Sequence, residues 1–269
     1  MSQFEGKIAV VTGSTQGLGA AIATLFAQRG AEGIIICGRS REKGEAKAKE
    51  LGAATKAKVV FVPADLSSVE DCRAVIAAAE QSFGRVDALV NAAAISDRGT
   101  ILDTTPERFD EMFATNVRGP FFLMQDAMKL MLRTETRGTI VNICSMASLA
   151  GQPFICAYSA SKGALATLTR NTAFAALKNR IRVNGLNIGW MASDGEDRIM
   201  KTYHGAQDNW LDEAARQQPF GRLIDPAEVA RAVAFLSSDE SGLMTGSMIE
   251  YDQSVWGGYD EPPRPNAAL

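Results

Sequence analysis

Short, uninterrupted apolar runs alternate along the chain with longer segments in which apolar residues recur at helical spacing. A strand that is buried on both faces has this continuous apolar character, as in a parallel sheet covered by helices on either side. The pattern therefore predicts an α/β fold, a doubly wound parallel sheet of about seven strands with helices on both faces. The predicted strands lie at 8–12, 33–37, 58–62, 88–90, 138–144, 181–188 and 248–251.

The intervening segments carry helix-start signals. Thr105-Pro106 and Asp225-Pro226 each place a capping side chain before a proline at the first helical position. No linker-like change of composition divides the chain, so residues 1–269 are predicted to form a single domain with a C-terminal tail at 253–269. The predicted helices lie at 17–29, 41–53, 67–83, 107–132, 157–178 and 226–237.

One segment, 189–222, is much longer than an ordinary connection and mixes large aromatic residues with acids. It is predicted to be an insertion that covers the substrate and contains two short helices. Its aromatic residues Trp190, Trp210 and Phe220 either contact the substrate or anchor the insertion to the body of the protein. His204 is interpreted as a solvated loop residue rather than a catalyst.

Composition narrows the classes of partner. With 28 basic and 31 acidic residues the formal charge is −3, so the chain lacks the positive field that nucleic acids and anionic membranes attract. No apolar run reaches the length of a membrane span, and the N-terminus lacks a signal peptide, which predicts a cytoplasmic protein. Four scattered cysteines and a single histidine predict neither disulfides nor a metal site.

A glycine-rich turn lies between the first strand and the first helix, in Thr12-Gly13-Ser14-Thr15-Gln16-Gly17-Leu18-Gly19. Glycines let a backbone approach a pyrophosphate, and the free N–H groups of a helix start attract its charge. Glycines after a strand can also form only a tight turn. The functional interpretation assigns cofactor contacts to Gly13, Ser14, Thr15, Gly17, Leu18 and Gly19.

The second strand ends at Arg39 and Ser40, where many dinucleotide-binding chains have an acid that binds the adenosine ribose. A basic residue there can bind a 2′-phosphate instead, which favours NADP(H) over NAD(H). The alternative is that Arg39 and Arg41 are ordinary solvated residues at a helix start.

Tyr158 and Lys162 stand four residues apart on a predicted helix, so their side chains leave the same face. A neighbouring ammonium favours the ionised phenol and is expected to lower the pKa of Tyr158 towards neutrality. Ser145 lies at the carboxyl end of the fifth predicted strand, where open parallel sheets place groups that contact ligands. The three residues together indicate proton transfer to or from an alcohol.

With these motifs, and with Asp65-Leu66, Asn91-Ala92-Ala93-Ala94 and Asn116, the chain from Lys7 to about Tyr251 resembles the single-domain branch of the short-chain dehydrogenase/reductase family, which has a Rossmann-type fold. The resemblance implies that Tyr158 is the general acid/base. Lys162 would bind the nicotinamide ribose, Ser145 would orient the substrate, and Asn116 would hold a water in the proton relay. Without the other motifs, Asn116 would be interpreted as a polar residue inside a helix.

The same resemblance implies further cofactor contacts. Asp65 and Leu66 would approach the adenine, Asn91 would support the central strand near the cofactor, and Gly189 and Ser193 would flank the nicotinamide. Two positions depart from the family pattern. Ala94 replaces a glycine, and Ile188 replaces the proline that usually precedes the glycine at 189.

The expected activity is NAD(P)-dependent hydride transfer between nicotinamide and a secondary alcohol or carbonyl compound. The aromatic and acidic residues of the insertion favour a sugar or polyol. A reductase of ketones or 3-oxoacyl thioesters is the alternative, although the acids at 194–197 disfavour an acyl-carrier partner. A regulator that senses NADP(H) without catalysis is a third reading, which an intact proton relay disfavours.

Small residues follow one side of the helix that carries Tyr158, at Ala157, Ala160, Ser161 and Ala164. Such a stripe lets a second helix approach closely, or it packs on the chain's own sheet. Family members commonly associate through the helices near 107–132 and 157–178, so the resemblance implies a homotetramer.

Overall fold

Each of the seven apolar runs forms a strand, and the strands pair in parallel within one sheet of the computed structural model, which describes residues 3–256. Their spatial order is β3-β2-β1-β4-β5-β6-β7. Every residue of β1 and β4 is buried, which explains why these runs lack polar positions. The strands are β1 (Ile8–Val11), β2 (Gly33–Gly38), β3 (Lys58–Pro63), β4 (Ala88–Asn91), β5 (Thr139–Ser145), β6 (Arg182–Ile188) and β7 (Met248–Tyr251).

Helices cover both faces of the sheet. The described α-helices are α1 (Gly17–Gln28), α2 (Arg41–Ala54), α3 (Val69–Phe83), α4 (Pro106–Phe113), α5 (Gly119–Arg133), α6 (Cys156–Ala176), α7 (Asp194–His204), α8 (Trp210–Arg216) and α9 (Pro226–Ser237). One hydrophobic cluster joins a face of the sheet to α1, α2 and α9, and a second joins the other face to α3, α5 and α6. The doubly wound, Rossmann-type architecture predicted from the sequence is therefore confirmed. None of the described helices is both long and apolar enough to cross a membrane.

The predicted helix at 107–132 is wrong in one detail, because a π-helical turn at Ala114–Arg118 separates α4 from α5. A π turn inserts one extra residue into a helix and often accompanies a functional position. Directly after it, Gly119 packs on the backbone carbonyl of Leu66 so closely that a Cβ atom would overlap it. This contact depends on a distant segment, so the periodicity of the helix does not reveal it.

The insertion at 189–222 contains the two short helices α7 and α8. Trp210 on α8 is buried with Ala214 and Leu223, and Trp190 packs against this cluster. Of the predicted C-terminal tail, residues 253–256 follow β7, and residues 257–269 lie outside the described part of the chain.

Strand order reverses between β1 and β4: the chain runs outward through β2 and β3 on one side and through β5, β6 and β7 on the other. The loops that leave the carboxyl ends of β1 and β4 therefore diverge and leave a crevice, the usual ligand site of an open α/β sheet.

At the end of the sheet away from this crevice, Arg182 ties β6 to the end of α9. From the start of β6 its guanidinium donates hydrogen bonds to the carbonyls of Leu236 and Ser238 and to the hydroxyl of Ser241. The carbonyls belong to the C-terminal end of α9, where a helix leaves acceptors without intrahelical donors. Burial of the guanidinium lowers the pKa of Arg182 from its usual value.

We predict that Arg182→Met lowers the free energy of unfolding by about 2–3 kcal/mol, because partly buried acceptors lose a charged donor. Urea denaturation followed by circular dichroism measures the change. The control is Lys178→Met, which removes an exposed cation from the preceding turn and should change stability by less than about 0.5 kcal/mol. Equal midpoints for the two variants would contradict the role of Arg182.

Candidate active site

A cavity of about 950 Å³ opens at the carboxyl ends of the strands and extends from the glycine-rich turn to the insertion. This is at the upper end of the range for small-molecule sites, roughly 300–1,000 Å³. Most of the predicted site residues line it: Gly13, Thr15, Gly17, Leu18, Gly19, Arg39, Asp65, Leu66, Ser145, Tyr158, Lys162, Gly189 and Ser193. Four predicted residues do not line it: Ser14, Ser40, Asn91 and Asn116.

Each of the three glycines in the turn occupies a position that disfavours a side chain, for a different physical reason. Gly13 has φ +62°, and a Cβ atom there would lie 2.8 Å from the Cα of Ala93. Gly17 also has a positive φ, +56°. A Cβ atom on Gly19 would overlap the carbonyl of Gly13. The turn therefore presents bare backbone at the start of α1, a cradle that fits a dinucleotide pyrophosphate.

Ser14 sits behind this cradle and is fully buried. Its hydroxyl donates to the Val11 carbonyl at 2.6 Å and accepts from the Cys37 N–H at 3.1 Å. Ser14 thus ties the end of β1 to β2, and its contact with a cofactor stays a prediction.

Arg39 and Asp65 lie at the end of the cavity beyond the glycine-rich turn. Hydrogen bonds from the N–H and hydroxyl of Ser67 lower the pKa of Asp65, and the charge of Arg39 lowers it further. Arg39 itself is exposed. Ser40 caps α2 by accepting a hydrogen bond from the Lys43 N–H at 3.3 Å, and its cofactor contact stays a prediction.

A second cation, Lys43, lies at this end of the cavity and was not predicted from the sequence. The Lys43 ammonium donates to Gln16 Oε1 at 3.2 Å and so reaches from α2 to the glycine-rich turn. Its position one turn into a helix gives no signal in the sequence, because exposed lysines on helices are common.

Thr12 and Asn91 organise the loop after β4. Thr12 Oγ1 accepts the N–H groups of Ala92 and Ala93 at 3.0 and 3.1 Å. Asn91 donates to Asn142 Oδ1 at 2.8 Å, so it supports the central strands instead of lining the cavity. Ala94 is not among the described residues with positive φ, so this position does not need the glycine that the family usually has.

Three predicted catalytic residues meet where β5 and α6 approach each other. Ser145 ends β5, and Tyr158 and Lys162 project from the first turns of α6. The ammonium of Lys162 donates to the Ile143 carbonyl at 2.7 Å and lies 5.8 Å from the centroid of the Tyr158 ring. Lys162 is only 2% exposed, so the carbonyl is a necessary partner for its charge.

The pKa of Tyr158 moves opposite to the expectation from its spacing to Lys162. The half-buried phenol lies on the cavity wall, and burial raises the pKa of Tyr158 to about 12, against which a hydrogen bond with Ser145 acts. Burial also lowers the pKa of Lys162. The ammonium is directed at the Ile143 carbonyl and not at the phenol oxygen, which explains why spacing alone misjudged the shift.

Cys144 directly precedes Ser145, is buried and also lines the cavity. Burial raises the pKa of the Cys144 thiol to about 11, although the charge of Lys162 opposes the shift.

Asn116 is fully buried in the π-helical turn. Its amide donates to the Ile95 carbonyl at 2.9 Å and to Ser161 Oγ at 3.0 Å, and its Oδ1 accepts the Ile95 N–H. Ser161 in turn donates to the Tyr158 carbonyl at 2.7 Å. The side chain therefore braces the start of α6, and the implied role of Asn116 in holding a water stays a prediction.

Gly189 and Ser193 follow β6, at the other end of the cavity from Arg39. A Cβ atom on Gly189 would overlap the carboxylate of Asp252, which also lines the cavity. Ser193 caps α7 by accepting the Glu196 N–H at 3.2 Å.

The cavity wall opposite the glycine-rich turn contains residues that belong to none of the sequence motifs. Trp190 lines the cavity, whereas Trp210 is buried and anchors the insertion, and Phe220 is 75% exposed. His204 also lines the cavity, and its Nε2 accepts a hydrogen bond from Arg98. Sequence reasoning also missed other lining residues on this side, among them Arg98, Phe154, Asp252 and Trp256. Of these four, only Asp252 had a usable signal, its position just after a strand end.

The cavity has two chemically distinct regions. The backbone cradle with nearby cations suits a phosphorylated dinucleotide. The region with a protonated phenol, a hydroxyl and a buried ammonium suits proton transfer to an oxygen atom.

Comparison with known proteins agrees with the geometry. The family model described as enoyl-(acyl carrier protein) reductase matches residues 13–256. The chain is 30% identical to galactitol 2-dehydrogenase from Agrobacterium fabrum, over 94% of this chain and 99% of the relative. It is 32% identical to the NADP-dependent (R)-specific alcohol dehydrogenase from Lentilactobacillus kefiri, over 96% and 98%.

A solved structure shares the fold. L-sorbose reductase from Gluconobacter frateurii, complexed with NADPH and L-sorbose, superposes with a TM-score of 0.88 at 27% identity, covering 96% of this chain and all of the other.

Proposed function

The chain belongs to the short-chain dehydrogenase/reductase family and is an oxidoreductase of that type, and on this premise we propose that it interconverts a secondary alcohol and its carbonyl compound, with a sugar or polyol as substrate. The observation that carries the proposal is the convergence of Ser145, Tyr158 and Lys162 on the cavity that begins at the glycine-rich turn.

The family binds nicotinamide cofactors, and the cavity fits one. Gly13, Gly17 and Gly19 would hold the pyrophosphate, and Lys162 and Gly189 would lie at the nicotinamide end. When bound, the nicotinamide supplies or accepts a hydride. The protein contributes alignment of the two reactants and control of the proton.

Tyr158 handles the proton. Because burial raises its pKa to about 12, the phenol is protonated at neutral pH and is ready to donate. In reduction the proton leaves Tyr158 Oη for the substrate oxygen while Ser145 stabilises the charge on that oxygen. In oxidation the phenolate takes the hydroxyl proton. Lys162, held by the Ile143 carbonyl, keeps a positive charge beside the phenolate as it forms.

We propose a preference for NADP(H). Arg39 lies on the cavity wall beyond the glycine-rich turn, and Lys43 reaches the same turn through Gln16. Two cations at the adenosine end favour a 2′-phosphate. The NADPH in the L-sorbose reductase structure and the NADP-dependent relative support this preference.

A hydroxylated substrate fits the wall near Tyr158. It carries an indole ring, an imidazole ring, a carboxylate and a guanidinium, from Trp190, His204, Glu196 and Arg98 respectively. Apolar ring faces beside hydrogen-bonding groups suit sugars and polyols. Relatives named for galactitol and L-sorbose support the same class.

A thioester reductase is the second candidate, since the description of the matching family model names an acyl carrier protein. Activity with 3-oxoacyl thioesters exceeding that with polyols and ketoses, in a panel assayed by nicotinamide absorbance, would favour this candidate.

We also propose a cytoplasmic homotetramer. The four thiols are free, as in a reducing compartment. Apolar side chains on the predicted association helices are exposed: Phe109, Phe121 and Phe174 on α4, α5 and α6.

The first prediction concerns Tyr158→Phe, which removes the phenol oxygen that exchanges the proton. The rate constant kcat should fall by about 100-fold or more, whereas the Kd for NADPH, measured by fluorescence titration, should change less than twofold. Tyr251→Phe is the matched control and should keep wild-type kcat. A Tyr158→Phe protein with unchanged kcat would contradict the mechanism.

The second prediction concerns pH. Below a pKa of about 12 the phenolate fraction grows about tenfold per pH unit, so alcohol oxidation should rise steadily from pH 7 to 10. Carbonyl reduction needs the protonated phenol and should stay constant over that range. Steady-state kcat/KM profiles in both directions test this. An oxidation profile that is level above pH 8 would show that the working pKa is much lower.

The third prediction concerns Arg39→Ala. The Kd for NADPH should rise about tenfold while the Kd for NADH stays within twofold, because only NADPH carries the 2′-phosphate. Arg41→Ala, which removes a neighbouring cation that pairs with Glu45, is the control. Parallel changes for both nucleotides in Arg39→Ala would contradict the assigned contact.

A further inference from the structure

A pair of opposite charges forms part of the cavity wall beside Tyr158. Glu196 stands in the first turn of α7, and Arg98 lies in the loop after β4. Both line the cavity, with 19% and 15% of their side chains exposed. Both charges also act on the pKa of Tyr158, Glu196 raising it and Arg98 lowering it. The pair therefore lies close to the atom that exchanges the proton.

The Glu196 carboxylate is held through one oxygen only. Oε1 accepts a hydrogen bond from Trp190 Nε1 at 2.9 Å and lies 3.7 Å from Arg98 Nη2. Within residues 3–256, the backbone and side-chain hydrogen bonds of Glu196 leave Oε2 without a donor. A carboxylate oxygen accepts about two hydrogen bonds, so Oε2 is an acceptor held in a fixed position.

Arg98 is fixed in the same way. Its Nε donates to His204 Nε2 at 2.9 Å and its Nη1 to the Ser96 carbonyl at 3.0 Å. Its guanidinium carbon lies 5.4 Å from the centroid of the Phe154 ring. These contacts immobilise the plane of the guanidinium. They leave Nη2, the nitrogen nearest Glu196, with no hydrogen bond within the described chain.

We propose that Glu196 Oε2 and Arg98 Nη2 form a subsite for a hydroxyl group of the substrate next to the carbon that reacts. The proposal rests on the proposed function and names its specificity-determining residues. A hydroxyl group both donates and accepts, so it can give its hydrogen to Glu196 and take one from Arg98. Both are charge-assisted hydrogen bonds, the stronger kind.

The same pair selects against other substrates. A long hydrocarbon chain placed against it would remove water from both charges without replacing their hydrogen bonds, which disfavours acyl chains. A carboxylate would be attracted by Arg98 but repelled by Glu196. A neutral, hydroxylated compound satisfies both.

The test compares two ketones that differ in one hydroxyl, butan-2-one and 1-hydroxybutan-2-one, with NADPH as the hydride donor. Glu196→Gln keeps an oxygen for Trp190 but replaces the second oxygen by an amide that donates. The KM for the hydroxyketone should rise about tenfold with kcat within twofold, and both constants for butan-2-one should stay within twofold. Glu213→Gln, the same substitution on α8 away from the cavity wall, should behave as wild type for both ketones.

A second variant separates recognition from folding. Trp190→Phe keeps a ring but removes the N–H that orients Glu196. It should therefore raise the KM for 1-hydroxybutan-2-one by a smaller factor than Glu196→Gln does, and leave the constants for butan-2-one within twofold. Equal losses with both ketones in Glu196→Gln, or no loss with either, would overturn the proposal, because a merely structural residue does not distinguish them.

Binding gives a readout that does not depend on turnover. Xylitol added to the NADP⁺-loaded protein should change the tryptophan fluorescence, with a Kd about tenfold higher in Glu196→Gln. If no ketone or polyol is turned over but xylitol binding depends on Glu196, the proposed function fails and the subsite stands. If butan-2-one is reduced and neither hydroxylated compound depends on Glu196, the oxidoreductase stands and the subsite fails.

Discussion

The hydrogen bond from the Lys162 ammonium to the Ile143 carbonyl positions α6 on β5, on which the arrangement of the candidate active site depends. A buried ammonium needs an acceptor, and the one available belongs to β5, two residues before Ser145. This bond docks α6 on the strand and thereby sets the distance between Tyr158 and Ser145. Asn116 and Ser161 brace the same helix from the other side. The groups that we propose to transfer the proton are positioned by polar contacts inside the protein.

Much of the fold was predictable because it depends on short-range patterns. Continuous apolar runs gave all seven strands to within a residue or two, and proline after a capping side chain located the starts of α4 and α9. The π-helical turn was not predictable, since the apolar spacing runs on through it, and the close packing of Gly119 on Leu66 involves a segment distant in the chain. The residues of the central site came from spacing and resemblance, whereas Arg98 and Phe154 sit in irregular loops where no periodicity or motif marks them.

The sequence indicated which residues lie near the cavity better than it indicated the hydrogen bonds of their side chains. Ser14 and Ser40 belong to the glycine-rich turn and the helix start as expected, yet their hydroxyls serve neighbouring backbone groups. The pKa of Tyr158 moved opposite to the expectation, because spacing shows that a cation is near but not which atom it faces. Such roles depend on the direction of hydrogen bonds, which becomes visible only when the elements are packed together.

The burial of Cys144 has a consequence for the chemical durability of the protein. Its thiol lies directly before Ser145 and against Lys162, where a modified sulfur would crowd the reacting groups. Thiolates, not thiols, attack alkylating agents and peroxides, and a pKa of about 11 leaves a very small thiolate fraction at neutral pH. Although Cys144 lines the cavity, it is only 3% exposed, so both the small thiolate fraction and the small exposed area slow its reaction with electrophiles. This environment protects an oxidisable sulfur atom that lies beside the candidate active site of an oxidoreductase.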